Sequence, residues 1–302
     1  MNFRKLHLAD KELLERFKQL SPKYNCDFCF SDLYLWRNYY QTEIALKEDI
    51  LFLRLILDNE YLYFIPLGNT AKGIDHLIEY TRKKHQRLRI ISIEEQDLKD
   101  IDSRFSIIHI RSNDDYIYSA SALSTLQGKD YKAKRNFVNS FKTSYDYTVK
   151  PIQEFNLQED MSFLDLWGKE NPEEDRHSFL GEREAIYQAL KNLTELGLDG
   201  LILKSGNAVV GLTLGTYSGN TFITHFEKVD YTYRGASQMI NYLMANYVKD
   251  KADWINREED LGIAGLRKAK LSYRPQRMIK SYTAYLIQDY PEVNNKDIID
   301  LE

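Results

Sequence analysis

Within the stretch WINREEDLGIAGLRKAKLSYRP, which spans residues 254–275, four positively charged side chains lie between residues 267 and 274. In a helix, Arg267, Lys270 and Arg274 would share one face, with Lys268 and Tyr273 beside it. Such a face suits a phosphate or a carboxylate group, and its plain alternative is a solvated helix end. We predict that Arg267, Lys268, Lys270 and Tyr273 bind an anionic part of a substrate.

Three more side chains are of the types that acid–base chemistry uses. Residues 221–228 predict a strand, in which His225 and Glu227 share one face and Lys228 points to the other. A histidine or glutamate at a strand end can accept a proton, and a lysine can stabilise an oxyanion. We predict catalytic roles for His225, Glu227 and Lys228. The alternative is a satisfied strand histidine beside two solvent-facing charges.

The two cysteines, Cys26 and Cys29, have the CxxC spacing of redox and zinc sites. A structural zinc ion takes four ligands, and the sequence has neither a second CxxC pair nor a close pair of histidines. We therefore predict two reduced, partly buried thiols and no metal.

Composition limits the class of protein. The chain has 302 residues, of which 43% are hydrophobic, enough for one large or two ordinary domains. Its net charge of −4 provides no general attraction for nucleic acid, so any anion site must be local. No apolar run approaches the ~20 residues that span a bilayer, and the charged start lacks the apolar segment of an export signal. We expect a soluble, cytoplasmic protein.

The order of predicted elements repeats along the chain. Each half has a hairpin, a long helix, a strand, a second helix and a last strand. This repeat predicts two similar α/β domains, at residues 1–125 and 146–302. The first half has strands at 43–57 and 61–66, a helix at 73–86, a strand at 88–93, a helix at 94–102 and a strand at 105–110. The second half has strands at 200–204, 208–217 and 221–228, a helix at 234–251, a strand at 252–256, a helix that Asp260 caps and Pro275 ends, and a strand at 278–287.

A basic amphipathic helix is predicted to connect the domains, at residues 126–145. Its apolar stripe comprises Tyr131, Val138, Phe141 and Tyr145. Lys132 and Arg135 fall on another face. The helix is either a surface connector or a contact for phosphate groups. We predict that Lys132 and Arg135 help to hold a polyanion.

The order of hairpin, long helix, strand, helix and strand resembles the GNAT acyltransferase fold. In that fold a loop with the pattern Arg-Gly-x-Gly-x-Gly/Ala binds the coenzyme A pyrophosphate at a helix N-terminus. Arg234 and Gly235 match its first two positions, whereas Ser237 and Met239 replace later small residues. Met239 would crowd a backbone that must approach phosphate closely, so we predict weak acetyl-CoA binding or none.

Four segments together resemble a narrower family. They are KDYKAKRNFVNSF, HFEKVD, YRGASQMINY and INREEDLGIAGLRKAKLSYRP. They are similar to the C-terminal domain of bacterial phosphatidylglycerol lysyltransferases and to its stand-alone relatives. That domain is a tandem GNAT pair that resembles the Fem-type peptidoglycan aminoacyltransferases. The resemblance implies an α/β (α+β) fold of two GNAT-like domains, each a mixed, mostly antiparallel sheet flanked by helices.

The resemblance also implies a function. It implies an aminoacyltransferase that takes an aminoacyl group, such as lysyl, from aminoacyl-tRNA and passes it to a lipid, a peptide or an amine. Its partners would then be tRNA and an anionic lipid or small-molecule acceptor. Two alternatives stay open. One is a coenzyme A-dependent N-acyltransferase, in which Arg234 binds the pyrophosphate, and the other is a non-catalytic protein of the same fold that binds polyanions.

Overall fold

A computed structural model of the protein describes residues 1–157 and 176–293, together with Phe163. No helix within these ranges has the length and apolar content that crossing a bilayer requires. The helices are α1 (Lys11–Leu20), α2 (Phe30–Leu35), α3 (Thr70–Lys84), α4 (Ala120–Thr125), α5 (Lys132–Ser144), α6 (Arg176–Lys191), α7 (Leu193–Leu196), α8 (Ala236–Val248) and α9 (Ala264–Leu271). Short 3-10 helices lie at Leu8–Asp10, Cys26–Phe28, Glu95–Asp100, Arg111–Asn113 and Ile152–Glu154.

The strands form two separate sheets. They are β1 (Arg4–Lys5), β2 (Glu43–Lys47), β3 (Ile50–Leu57), β4 (Glu60–Phe64), β5 (Arg89–Ile93), β6 (Phe105–His109), β7 (Asp115–Ser119), β8 (Thr148–Pro151), β9 (Leu198–Ser205), β10 (Ala208–Ser218), β11 (Thr221–Val229), β12 (Trp254–Asn256), β13 (Arg277–Ile279) and β14 (Tyr282–Leu286). The first sheet has the order β1-β2-β3-β4-β5-β14-β6, and the second has the order β13-β7-β12-β11-β10-β9-β8.

The described chain divides into two compact units. The first comprises Met1–Asp115, Glu259–Arg267 and the described chain from Met278 onward. The second comprises Tyr116–Glu258 and Lys268–Arg277. In the first sheet β4 and β5 pair in parallel, and in the second β11 and β12 do. The other registered pairs of both sheets are antiparallel, which confirms the predicted class of mixed, mostly antiparallel sheets with helices.

The sheets do not follow the linear halves of the sequence. β7 comes from the predicted first domain but belongs to the second sheet, and β14 comes from the predicted second domain but lies between β5 and β6. The single strand predicted at 278–287 is therefore wrong. It is two strands, because the chain leaves β13 and at Ser281 donates its N–H to Asp114 Oδ1, at 3.0 Å, before entering the first sheet.

Two other predicted elements also differ. The strand predicted at 43–57 is β2 and β3, separated by a turn in which Glu48 and Asp49 have φ values of 50° and 56°. The helix predicted to connect two domains is α5, which lies wholly inside the second unit. Its apolar stripe explains this placement, since Val138 and Phe141 are buried in one core cluster with Met239 and Ile240 of α8.

The parallel strands β11 and β12 separate soon after they begin to pair. Their register joins only Thr221–Ile223 to Trp254–Asn256. Beyond this point β11 stays paired with β10 as far as Val229, whereas β12 ends. Ligands of α/β sheets bind outside the carboxyl ends of such strands, so the side chains at this divergence are the first candidates for a functional site.

Candidate functional site

His225 lies on β11 at this divergence, and its side chain is only 1% exposed. Its Nδ1 lies 2.8 Å from Glu258 Oε1, and its Nε2 lies 2.9 Å from Thr216 Oγ1 on β10. A neutral imidazole donates from one nitrogen and accepts at the other, which fits a carboxylate on one side and a hydroxyl on the other. The Glu258 side chain keeps 19% exposure, so in this pair the carboxylate is the group within reach of solvent.

Glu227, two residues further along β11, is held by a buried guanidinium group. Arg257 Nη2 donates to Glu227 Oε1 at 2.8 Å, and Asn241 Nδ2 of α8 lies 3.4 Å from Glu227 Oε2. Both side chains of the ion pair are 14% exposed. Arg257 and Glu258 are the two residues that directly follow β12. Where the strands diverge, Arg257 therefore meets Glu227 of β11, and Glu258 meets His225 of the same strand.

Lys228 points away from these two residues, as strand alternation predicts. Its Nζ lies 2.7 Å from Glu182 Oε1 of α6. The structure thus places two of the three predicted catalytic residues at the strand divergence and gives Lys228 a different neighbour. Its catalytic role stays a prediction.

Tyr273 lies beside the Glu227–Arg257 pair and is 4% exposed. The Arg257 Cζ atom lies 5.0 Å from the centroid of the Tyr273 ring, and Lys134 Nζ of α5 lies 4.2 Å from the same centroid. Burial raises the pKa of Tyr273 well above its usual range, so the hydroxyl stays protonated near neutral pH. Burial and the charge of Arg257 lower the pKa of Lys134. We call Lys134, Glu227, Asn241, Arg257 and Tyr273 the Arg257 cluster.

The sequence predicted that the cations of residues 267–270 face one anion of a substrate. In the structure their side chains have different neighbours. Arg267 Nε and Nη2 donate to Asp260 at 2.9 and 3.1 Å. Lys270 is buried, and its Nζ donates to the Arg257 carbonyl at 2.6 Å. Lys268 is exposed. Asp260 is also not the N-cap of this helix, because α9 begins at Ala264 and the fully buried Asp260 carboxylate accepts from the Gly262 N–H at 2.9 Å.

The two basic residues predicted on α5 have different surroundings. Lys132 is exposed. Arg135 Nη1 donates to the Gly128 carbonyl at 2.7 Å and also to the Leu126 carbonyl, so this guanidinium closes the end of α4. These backbone contacts explain the presence of Arg135 without a ligand. The exposed side chain of Lys132 stays a candidate for contact with an anion.

The predicted coenzyme A loop is built around a backbone constraint. Gly235 has a φ of +89°, and a Cβ atom there would lie 2.7 Å from the Phe137 carbonyl oxygen of α5. Arg234 is exposed, and its backbone N–H donates to the Tyr145 hydroxyl at 3.1 Å. The expected crowding by Met239 is wrong, because that side chain is fully buried in the core. Packing of α8 on α5 therefore already explains the glycine.

The two cysteines are free and buried. Cys26 Sγ lies 3.1 Å from Asp115 Oδ1 and 3.3 Å from Glu259 Oε2. The three ligand atoms of this set could hold a metal ion, since they lie within 4.8 Å of one another. A thiol that donates to a carboxylate gives the same distances without an ion. Sequence reasoning missed this meeting because the three residues lie far apart along the chain.

Sequence reasoning also missed Lys134, Asn241, Arg257 and Glu258. One signal could have identified two of them. Arg257 and Glu258 immediately follow a short strand that pairs in parallel with the strand of His225, and the carboxyl ends of parallel neighbours meet at one edge of a sheet. Nothing in the local pattern distinguishes Lys134 from the other lysines of α5.

Comparisons with solved structures define the class of fold. A crystal structure of a conserved protein of unknown function from Bacteroides thetaiotaomicron VPI-5482 is 37% identical to this chain, covers 95% of it and 99% of its own chain, and gives a TM-score of 0.85. L-PGS from Bacillus licheniformis is 15% identical, with 91% of each chain covered and a TM-score of 0.65. A tandem GNAT protein from the clavulanic acid biosynthesis pathway is 10% identical, with coverage of 94% and 98% and a TM-score of 0.54. The protein has the tandem GNAT-like fold.

The family follows from the sequence itself. Residues 18–285 match the family model described as phosphatidylglycerol lysyltransferase, C-terminal. This match covers most of the chain, and the chain therefore belongs to that family, as the four quoted segments predicted.

Proposed function

We propose that the protein is an aminoacyltransferase that moves an aminoacyl group from aminoacyl-tRNA to a hydroxyl or amine of a lipid, a peptide or a small amine. The family match over residues 18–285 supports the class of reaction. The observation that carries the proposal is the His225–Glu258 pair, at 2.8 Å, where β11 and β12 diverge. With tRNA as the carrier of the donor, the reaction belongs in the cytoplasm.

The proposed reaction needs one proton to be moved. The acceptor oxygen or nitrogen attacks the ester carbonyl of aminoacyl-tRNA, the new bond forms, and the ester bond to the terminal ribose breaks. The proton of the acceptor passes to Glu258, which His225 orients, and then to the departing ribose oxygen. Glu258 is the candidate for direct contact because it retains exposure, whereas His225 acts through it.

The predicted anion-binding residues fall into two groups, those exposed to solvent and those bonded within the protein. Lys132, Arg234 and Lys268 are exposed and remain candidates for contact with tRNA or an anionic lipid. Arg267 and Lys270 are bonded within the protein, and their proposed role is to hold the backbone that follows β12.

A coenzyme A-dependent N-acyltransferase is the second candidate. It is favoured by the burial of Met239, which removes the steric objection to phosphate at the start of α8. In this candidate Arg234 and the N–H groups of the first turn of α8 would bind the pyrophosphate.

Transfer of a labelled aminoacyl group from tRNA tests the proposal. The purified protein is mixed with tRNA charged with lysine or with other amino acids, and with phosphatidylglycerol vesicles, a peptide or a polyamine. We expect label to pass to one acceptor, and Glu258→Gln to slow the transfer by about 100-fold or more. Glu154→Gln, at an exposed helical turn, is the matched control.

Two other results would replace the proposal. Transfer from acetyl-CoA, with none from any charged tRNA, would establish the second candidate. Binding of tRNA without transfer of any group would instead indicate a polyanion-binding protein that has no catalytic role.

A further inference from the structure

The Arg257 cluster contains buried polar atoms that have no hydrogen-bond partner within the described part of the chain. These are Arg257 Nη1, the Tyr273 hydroxyl and Asn241 Oδ1. Both Tyr273 and Asn241 are 4% exposed. A buried polar group that lacks a partner destabilises the fold, so three of them in one cluster call for a ligand or ordered water.

The charges of the cluster indicate the sign of the missing partner. Lys134 and Arg257 both lie against the Tyr273 ring, at 4.2 and 5.0 Å from its centroid. Only one carboxylate of the cluster, that of Glu227, is bonded to them, through Arg257 Nη2 at 2.8 Å. Two cations and one anion leave an excess positive charge, with a guanidinium N–H and a phenol O–H beside it.

We propose that the Arg257 cluster is a binding site for an oxyanion, either a phosphate or a carboxylate group. Arg257 Nη1 and the Tyr273 hydroxyl donate to its oxygens, and Lys134 adds positive charge beside the same ring. Asn241 Oδ1 can only accept, so its partner in the filled site is a protonated oxygen of the anion or an ordered water. The cluster is not sealed, since the Arg257 side chain keeps 14% exposure.

This proposal does not depend on aminoacyl transfer. It concerns a different set of side chains from the His225–Glu258 pair, and it is measured as binding, without turnover. A protein that binds an oxyanion here and transfers nothing would keep this proposal and lose the proposed function.

The test is a titration of the full chain with sodium phosphate and, separately, with sodium acetate, at constant ionic strength in chloride. Heat of binding and the melting temperature are both followed, because a ligand of the folded state raises the latter. We expect at least one of the two anions to bind. Phosphate alone would identify a phosphate carrier, and acetate alone would identify a carboxylate.

Two tyrosine variants separate binding from folding. Tyr273→Phe removes a hydroxyl that has no partner among the described residues, so the melting temperature without ligand should not fall, while affinity for the anion falls by about tenfold or more. Tyr118→Phe is the matched control. Its hydroxyl donates to the Lys270 carbonyl at 2.9 Å, so its loss should lower the melting temperature and leave the anion affinity unchanged.

Two lysine variants of one helix test the charge. Lys134→Met should weaken the binding of the anion, whereas Lys142→Met should not, although Lys142 also lies over a ring, that of Tyr242 at 4.4 Å. The proposal is overturned if neither anion binds at millimolar concentration, or if Tyr273→Phe binds as tightly as the unaltered protein. Water would then satisfy the cluster.

Discussion

Arg267 binds the carboxylate of Asp260 with two nitrogens, at 2.9 and 3.1 Å, and that carboxylate is completely buried. The sequence suggested that Arg267 faces a substrate. Its guanidinium instead neutralises the negative charge of Asp260. Arg111 Nη1, 3.4 Å from the same carboxylate, also helps to neutralise it. An Arg fork matches a carboxylate in this two-point manner, whereas a lysine does not.

Arg267→Ala should therefore destabilise the fold, in contrast to the small effect that a substrate contact would give. Loss of the two hydrogen bonds to the buried Asp260 carboxylate should cost about 2 kcal/mol or more, because only Arg111 then balances that charge. Urea denaturation measures the loss. Lys268→Ala, the exposed neighbour, should change stability by less than about 0.5 kcal/mol. Equal stability of the two variants would return Arg267 to the set of candidate ligands.

Arg135 and Lys132 were both predicted to bind a polyanion, but only the loss of Arg135 should lower the stability of the fold. Arg135→Ala removes the donor to the Leu126 and Gly128 carbonyls and should cost about 1–2 kcal/mol of stability. Lys132→Ala should leave the melting temperature unchanged. If Lys132→Ala nevertheless weakens the binding of tRNA or anionic vesicles at low salt, that residue is the polyanion contact. If both variants bind tRNA and anionic vesicles as tightly as the unaltered protein, the role of α5 is structural only.

Gly235 can be compared with a second glycine of nearly the same conformation. Gly128 has a φ of +91°, and a Cβ atom added there would have no atom within 4 Å, whereas at Gly235 it would lie 2.7 Å from a carbonyl oxygen. Gly128→Ala should cost about 1–2 kcal/mol, through the left-handed backbone alone. Gly235→Ala should cost about 1–3 kcal/mol more, through the clash. Equal losses in thermal denaturation would contradict the packing explanation of this glycine.

Asp27 should make the stability of the protein depend on pH. Burial raises its pKa to about 6, with help from the charges of Glu259 and Glu94. In the unfolded chain an aspartate loses its proton near about pH 4, so between pH 4 and 6 the folded state holds the extra proton. The contribution of Asp27 to stability should then fall by about 3 kcal/mol as the pH rises through this window and stay level above it.

The comparison of two asparagine variants isolates this effect. Asp27→Asn cannot ionise and should be more stable than the unaltered protein above pH 6, with the difference vanishing near pH 4. Asp58→Asn, at an exposed turn, serves as control. Urea denaturation at several pH values gives the two curves, and a constant difference for Asp27→Asn across the range would refute the assignment.

Local pattern was sufficient for elements whose neighbours in space are also neighbours in the chain. The hairpin of β10 and β11 and helices α3, α5 and α8 follow from alternation or helical periodicity. The pairing of β14 with β5 and β6 does not, since Tyr282 lies opposite Ile93 and His109, far back in the sequence. Such long-range partners leave no trace in the spacing of residues within one segment.

The same distinction applies to the site. His225 and Glu227 could be selected because strand alternation fixes which residues share a face. The partners of charged side chains could not, because a cation satisfied by a buried carboxylate and a cation that awaits a ligand look alike in sequence. Arg267 and Arg257 illustrate the two cases. The guanidinium of Arg267 is bound to Asp260, whereas Nη1 of Arg257 has no partner among the described residues.

The position of β14 between β5 and β6 has a consequence for synthesis of the protein. While the ribosome is still making the second unit, β5 and β6 have emerged but the strand that joins them has not. At about 5–20 residues per second, the gap between His109 and Tyr282 lasts on the order of ten seconds or more. During that time the nascent chain exposes two unpaired strand edges, which are templates for aggregation. A chaperone that shields these edges would therefore act on the early half of the chain until the late strand arrives.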